Sequence, residues 1–129
     1  MMQRLGPQDT LMVASEAAGW LQSNGSLAIY DDSRVEGGLT LERLRDYMRS
    51  RLRHIPIYRQ RLVSVPGNIG RPSWVEMEDV DVRRHVTEVP LPHPGTARQL
   101  SDVVCRLIET PMDMTAPLWH IYLIRGLED

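Results

Sequence analysis

The sequence contains no lysine and no phenylalanine. All 15 basic residues are therefore arginine, so every positive charge is a planar guanidinium able to grip a carboxylate or phosphate through two parallel hydrogen bonds. A lysine-free composition reflects a GC-rich coding sequence more readily than selection for phosphate binding. The 5% of aromatic residues is carried by Trp and Tyr alone. A single cysteine, Cys105, excludes an internal disulfide framework and fits a reducing compartment. No run approaches the ~20 apolar residues that a membrane-spanning helix needs, and residues 1–6 lack the basic and apolar regions of a secretory signal. The expected location is the cytoplasm, free or peripheral to the inner face of the membrane or to lipid inclusions. A net charge of -2 exerts no global pull toward nucleic acid, and no nucleic-acid motif accompanies the arginines. No Gly-x-Ser-x-Gly is present to mark an activated serine.

What the chain does contain is the length of one ordinary domain, 129 residues, with no repeat, low-complexity tract or linker. Residues 1–129 are expected to form a single unit. Pro7 and a cap at Asp9 announce a weak, Ala-rich helix over residues 11–21, broken at Ser23-Asn24-Gly25. Ser26 to Asp31 alternates, with Leu27 and Ile29 on one face and Ala28 and Tyr30 on the other, which predicts a strand. Thr40 is an N-cap, with Glu42 complementing the dipole of a helix in which Leu41, Leu44, Met48, Leu52 and Ile55 recur at helical spacing until Pro56. Short extended pieces follow at residues 57–65, 73–76 and 85–89. Thr96 and Gln99 have capping-box spacing, and Leu100, Val103, Val104, Leu107 and Ile108 form one apolar stripe with Cys105 off it. Residues 118–124 predict a last strand, central and apolar on both faces. Two amphipathic helices mixed with strands give an α+β, layered α/β architecture.

Four histidines are scattered singly: His54, His85, His93 and His120. His85 with Asp79 and Asp81 matches no metal-ligand spacing, and the acidic loop opposite Arg83 and Arg84 reads as solvated ion pairs, so no metal is expected. His120, on a mostly apolar strand, reads as a hydrogen-bonded structural residue rather than a base.

Seven short motifs stand in a recognisable order. They are Leu5 with Pro7 and Asp9; Ile55-Pro56 followed by Tyr58-Arg59-Gln60-Arg61-Leu62; Pro72 with Trp74; Asp79 to Asp81 with His85-Val86; Leu91-Pro92 with Pro94-Gly95 and Leu100; Met112-Asp113; and Pro117-Leu118-Trp119 before a Gly126-Leu127 turn. Together they resemble the N-terminal region of the bacterial wax ester synthase/diacylglycerol O-acyltransferase family. Where that family commonly shows Pro-Met-His-x-Gly, this chain has Gln22-Ser23-Asn24-Gly25-Ser26, the mark of a divergent copy. The resemblance implies a lobe like that of chloramphenicol acetyltransferase and other CoA-dependent acyltransferases. It also implies transfer of an acyl group from acyl-CoA to diacylglycerol or a long-chain alcohol, with acyl-CoA as substrate and no resident cofactor. A histidine serves as general base in such chemistry, and hydrogen-bond donors stabilise the oxyanion. In the family that base belongs to a His-His-x-x-x-Asp-Gly motif, which no histidine of this sequence matches. The expectation is a truncated N-terminal segment without a catalytic residue of its own, inactive alone and completed by a C-terminal chain.

Pro117, Leu118 and Trp119 are then the family-motif residues, with a structural or substrate-tunnel role. Between residues 43 and 71 eight arginines are opposed only by Asp46. On a helical wheel Arg45, Arg49 and Arg53 form an exposed stripe that would face an anionic lipid surface or the phosphates of CoA. The competing reading is a solvated face with Glu42/Arg45 and Asp46/Arg49 pairs. The alternative function is a non-catalytic module, derived from the same fold, that binds a lipid surface or a protein.

Overall fold

Residues 2–129 are described by a computed structural model. The elements run β1 (Met2–Arg4), α1 (Pro7–Ala17), α2 (Leu41–Leu52), β2 (Gln60–Val63), β3 (Ser73–Glu76), α3 (Val82–His85), β4 (Val86–Pro90), α4 (Ala97–Glu109) and β5 (Ile121–Arg125). Helices and strands are mixed, as expected, and they are shared between two compact units, each assembled from three separate stretches of chain.

The first unit comprises residues 2–23, 54–80 and 111–119. Its sheet is antiparallel with β3 in the middle, Arg4 opposite Ser73 on one side and Gln60 opposite Glu76 on the other. The pairing continues past the strands, with Leu5 N–H donating to Pro72 O at 3.0 Å and Met77 N–H to Arg59 O at 2.8 Å. Leu5, Leu62, Val80 and Trp119 are its buried apolar residues. Helix α1 begins four residues earlier than expected. Pro7 occupies its first position, where a missing N–H costs nothing, and Asp9 lies in the first turn rather than capping it. The helix stops at Ala17, well short of Ser23, and Leu11 and Met12 point into solvent.

The second unit comprises residues 24–53, 81–110 and 120–129. Thr40 caps α2 as expected, its side chain accepting from Arg43 N–H at 3.2 Å. That helix ends at Leu52 rather than Ile55, because the residue before a proline is driven from helical to extended dihedrals, and Ile55 sits at φ -127°, ψ 82°. The α4 capping box closes fully: Gln99 N–H donates to Thr96 Oγ1 at 3.2 Å, while Gln99 Oε1 accepts from the backbone N–H groups of Thr96 and Gly95 at 2.8 Å. Leu100 and Val103 are buried, Cys105 is exposed, and the stripe gives out at Ile108, which is 42% exposed.

Strands β4 and β5 pair in parallel, Val86 opposite Ile121 and Pro90 opposite Arg125, with α4 in the intervening chain. Two expectations fail here. Strand β5 begins at Ile121, not Leu118, and it is not central: among the described residues its only partner is β4, and all five of its residues are half-buried. Residues 26–31 form no strand; Ile29 and Tyr30 are 67% and 80% exposed. Alternation of side chains satisfies only half of what a strand requires, since its N–H and C=O groups also need a neighbour.

Candidate functional site

The segment leading to Trp119 is shaped by Asp113. Its carboxylate accepts from Thr115 N–H at 2.9 Å and Thr115 Oγ1 at 2.6 Å, and its carbonyl accepts from Ala116 N–H at 3.2 Å. This turn delivers Pro117, which is buried, Leu118, which is half-buried, and Trp119, which is 9% exposed. The Trp119 indole stacks on Tyr58 with ring centroids 5.3 Å apart, and its Nε1–H donates to the Tyr58 carbonyl at 2.9 Å. Two motifs remote in sequence, Pro-Leu-Trp and Tyr-Arg-x-Arg-Leu, are thus one contact. The next residue of the second motif, Arg59, pairs with Glu76 across the sheet at 2.6 Å. Its Nε is buried and has no hydrogen-bond partner among the described residues.

In the second unit His120 precedes β5. A ring nitrogen lies 2.8 Å from Thr87 Oγ1, and the ring stacks on Tyr122 at 4.0 Å. Because Thr87 is opposite Tyr122 in the parallel register, these three side chains share one face of the sheet. Burial holds the His120 imidazole below its usual range, and nearby His85, itself 7% exposed, pushes the same way. His120 is therefore a hydrogen-bonded residue just before β5, its partner a threonine hydroxyl, in surroundings that favour the uncharged ring. The role of Thr87 and Tyr122 was not visible in sequence. Their spacing from His85 and His120 carries the signal, but only once the β4–β5 register is known.

The arginine stripe is interrupted at its first member. Arg45 turns inward, its side chain only 15% exposed: Nε donates to Val86 O at 3.0 Å, Nη2 lies 3.5 Å from Arg83 O, and Nη1 pairs with Glu42 at 2.8 Å. The backbone carbonyls of Arg83 in α3 and Val86 at the start of β4 hold the guanidinium fork through charge-assisted hydrogen bonds. Arg49, paired with Asp46, and Arg53 remain exposed. The structure thus brings Trp119 of the Pro117-Leu118-Trp119 motif onto Tyr58, and sets the inward-turned Arg45 apart from the two exposed arginines. Among the described residues no three His, Cys, Asp or Glu side chains gather as they would around a metal, and no helix is long and apolar enough to cross a membrane.

The family model for the wax ester synthase/diacylglycerol acyltransferase catalytic domain matches residues 5–129. The chain belongs to that family. Its match to a Mycobacterium tuberculosis protein, probable diacylglycerol O-acyltransferase tgs3, is 36% identical over 124 residues, covering 92% of this chain and 46% of the relative. Probable diacylglycerol O-acyltransferase tgs1 of the same organism is 39% identical over 79 residues, 61% of this chain and 17% of that protein. The solved wax ester synthase/diacylglycerol acyltransferase from Marinobacter aquaeolei superposes on 98% of this chain and 30% of its own, with TM-score 0.66 and 27% identity. The fold is accordingly the wax ester synthase/diacylglycerol acyltransferase fold, of the chloramphenicol acetyltransferase type. The chain spans less than half the length of these relatives.

Proposed function

We propose that this chain forms the scaffold part of an O-acyltransferase domain that moves an acyl group from acyl-CoA to diacylglycerol or a long-chain alcohol, the step that makes triacylglycerol or wax ester. The observation that carries the reading is the family match across residues 5–129, with the Pro117-Leu118-Trp119 motif seated in its own packed contact. Acyl-CoA enters as substrate, and no resident cofactor is required.

In acyl transfer of this kind the acceptor hydroxyl gives its proton to a general base and attacks the thioester carbonyl, and the resulting oxyanion is held by hydrogen-bond donors. Burial favours the uncharged form of the His120 imidazole, but its ring is engaged by Thr87 and stacked on Tyr122. The contribution of the chain is structural: the Asp113 turn and the Trp119–Tyr58 stack fix the backbone at residue 119, and β5 follows directly. The base lies outside residues 1–129, which act as one segment of the family domain. The alternative of a lipid-surface module is weakened by the inward turn of Arg45, which leaves Arg49 and Arg53 as the contacts to an anionic membrane or lipid droplet.

The test is release of CoA thiol from acyl-CoA in the presence of diacylglycerol or long-chain alcohols. The chain alone is expected to give no turnover above a heat-killed control, and turnover is expected when the part of tgs3 outside its matched residues is added. General-base assistance is worth ~10²- to 10⁴-fold, so its arrival is readily seen. Turnover by the chain alone that disappears in His120→Ala would overturn the scaffold reading and make His120 catalytic.

A further inference from the structure

The register of the parallel pair places two imidazoles at one end of it. Val86 stands opposite Ile121, and the residue before each is a histidine: His85, which closes α3, and His120, which leads into β5. One step further on, Thr87 stands opposite Tyr122. His120 joins the two strands, since a ring nitrogen lies 2.8 Å from Thr87 Oγ1 on β4 while the ring stacks on Tyr122 of β5 at 4.0 Å. His85 is 7% exposed and His120 is half-buried, so a proton on either ring sits where water screens it poorly and beside a second imidazole. Among the described residues Thr87 is the hydrogen-bond partner of His120, and no carboxylate reaches its ring. The charges on the neighbouring elements are engaged elsewhere. On α2, Glu42 pairs with Arg45, which holds the carbonyls of Arg83 and Val86, and Asp46 pairs with Arg49 in solvent. Arg83 and Arg84 of α3 are exposed, and Glu88 of β4 pairs with Arg125 of β5.

We propose that His85, Thr87, His120 and Tyr122 form an acid-sensitive latch, which holds β4 against β5 at neutral pH and releases the pair on acidification. The proposal does not rest on the acyltransferase reading. With both rings uncharged, the Thr87 bond and the Tyr122 stack close the end of the ladder. Protons taken up from solvent make the two imidazoles repel each other in a partly dehydrated place, and separating the strands relieves both costs. Among the described residues no third strand restrains either member of the pair. Burial first, and then His85, hold the His120 imidazole below its ordinary 6.5. The latch is therefore closed above about pH 6.5 and loosens as pH falls through the lower folded value.

The experiment uses the whole chain and two readouts, amide hydrogen exchange and the proton resonances of the histidine rings. Between about pH 7.5 and about pH 5, which spans the histidine range, protection factors in β4 and β5 are expected to fall while those of α4 hold. His120→Gln, which keeps a hydrogen-bonding side chain that cannot take the charge, should abolish that selective loss. His85→Gln should move the His120 titration midpoint upward, toward 6.5, and reduce the loss. Far-ultraviolet circular dichroism verifies folding of each variant. Should the buried His85→Gln variant fail to fold, the exchange comparison in the unmodified chain and in His120→Gln decides alone. Parallel loss of protection in α4 and in β4–β5, a selective loss that survives His120→Gln, or a His120 midpoint unmoved in folded His85→Gln would overturn the latch.

Discussion

Gly95→Ala is the substitution whose cost can be worked most directly from the structure. Gly95 has φ +86°, in the left-handed region, where a side chain costs ~1–2 kcal/mol. A Cβ there would fall on the Gly126 carbonyl oxygen, 2.8 Å from Gly126 C and 3.3 Å from Glu128 N. These are backbone atoms and cannot rotate away. Moving them stretches the bond from Glu128 N–H to Gly95 O, now 2.9 Å, worth ~1 kcal/mol, while overpacking itself costs ~1–3 kcal/mol. The sum is roughly 3–6 kcal/mol, comparable with the whole stability of a small domain, ~5–15 kcal/mol. Gly126→Ala is the internal control. It has a similar φ of +93°, but its nearest neighbour would be Leu91 at 3.8 Å, so only the dihedral cost of ~1–2 kcal/mol applies. Urea titration, with hydrogen exchange in β4 and β5 to assign the loss to the second unit, should therefore rank Gly95→Ala well below Gly126→Ala. Equal losses in the two variants would refute the steric argument and leave dihedral strain as the only effect.

Trp119→Phe keeps an aromatic ring against Tyr58 but removes the Nε1–H donor, and should cost ~1–3 kcal/mol by leaving a carbonyl without that bond, measured by thermal unfolding. Stability should also depend on His120 as pH falls. Its folded value lies below the unfolded 6.5, so the unfolded chain binds more protons. The contribution is present above about pH 6.5 and is lost as pH drops through the lower folded value; a His120→Gln variant should show a flatter dependence of the urea midpoint over pH 7.5 to 5. Arg45→Gln should cost ~1.5–3 kcal/mol through its hydrogen bonds to carbonyls, whereas Arg49→Gln should stay within ~0.5 kcal/mol. If α2 meets an anionic surface, the double variant Arg49→Gln/Arg53→Gln should lower cosedimentation with anionic vesicles by roughly thirtyfold, at ~1 kcal/mol per residue, while Arg45→Gln should leave it unchanged.

The parts of this structure that were legible in the sequence are those written in neighbouring residues. The Thr96–Gln99 box, the Thr40 cap and the burial of Leu100 and Val103 all follow from chemistry within a few positions. The family was legible from seven motifs, and the structure adds why two of them recur together, since Trp119 and Tyr58 are partners. The pairings were not legible. Nothing local states that β4 and β5 run in parallel, that Met2–Arg4 joins β3, or that Arg45 reaches carbonyls about forty positions away. Ser26 to Asp31 shows the same limit from the other side, a strand pattern without a neighbour to complete it.

The interleaving of the two units constrains how the chain can be made. The first unit draws on residues 111–119 and the second on residues 120–129. On a ribosome, the first core cannot close until residues 111–119 have emerged nor the second until residues 120–129 have, and β4 must wait for a partner more than thirty residues behind it. Contacts of such separation form slowly and leave apolar surface open meanwhile. Both cores therefore close within the same short stretch of synthesis, after Leu27, Ile29 and Tyr30 have already left the ribosome.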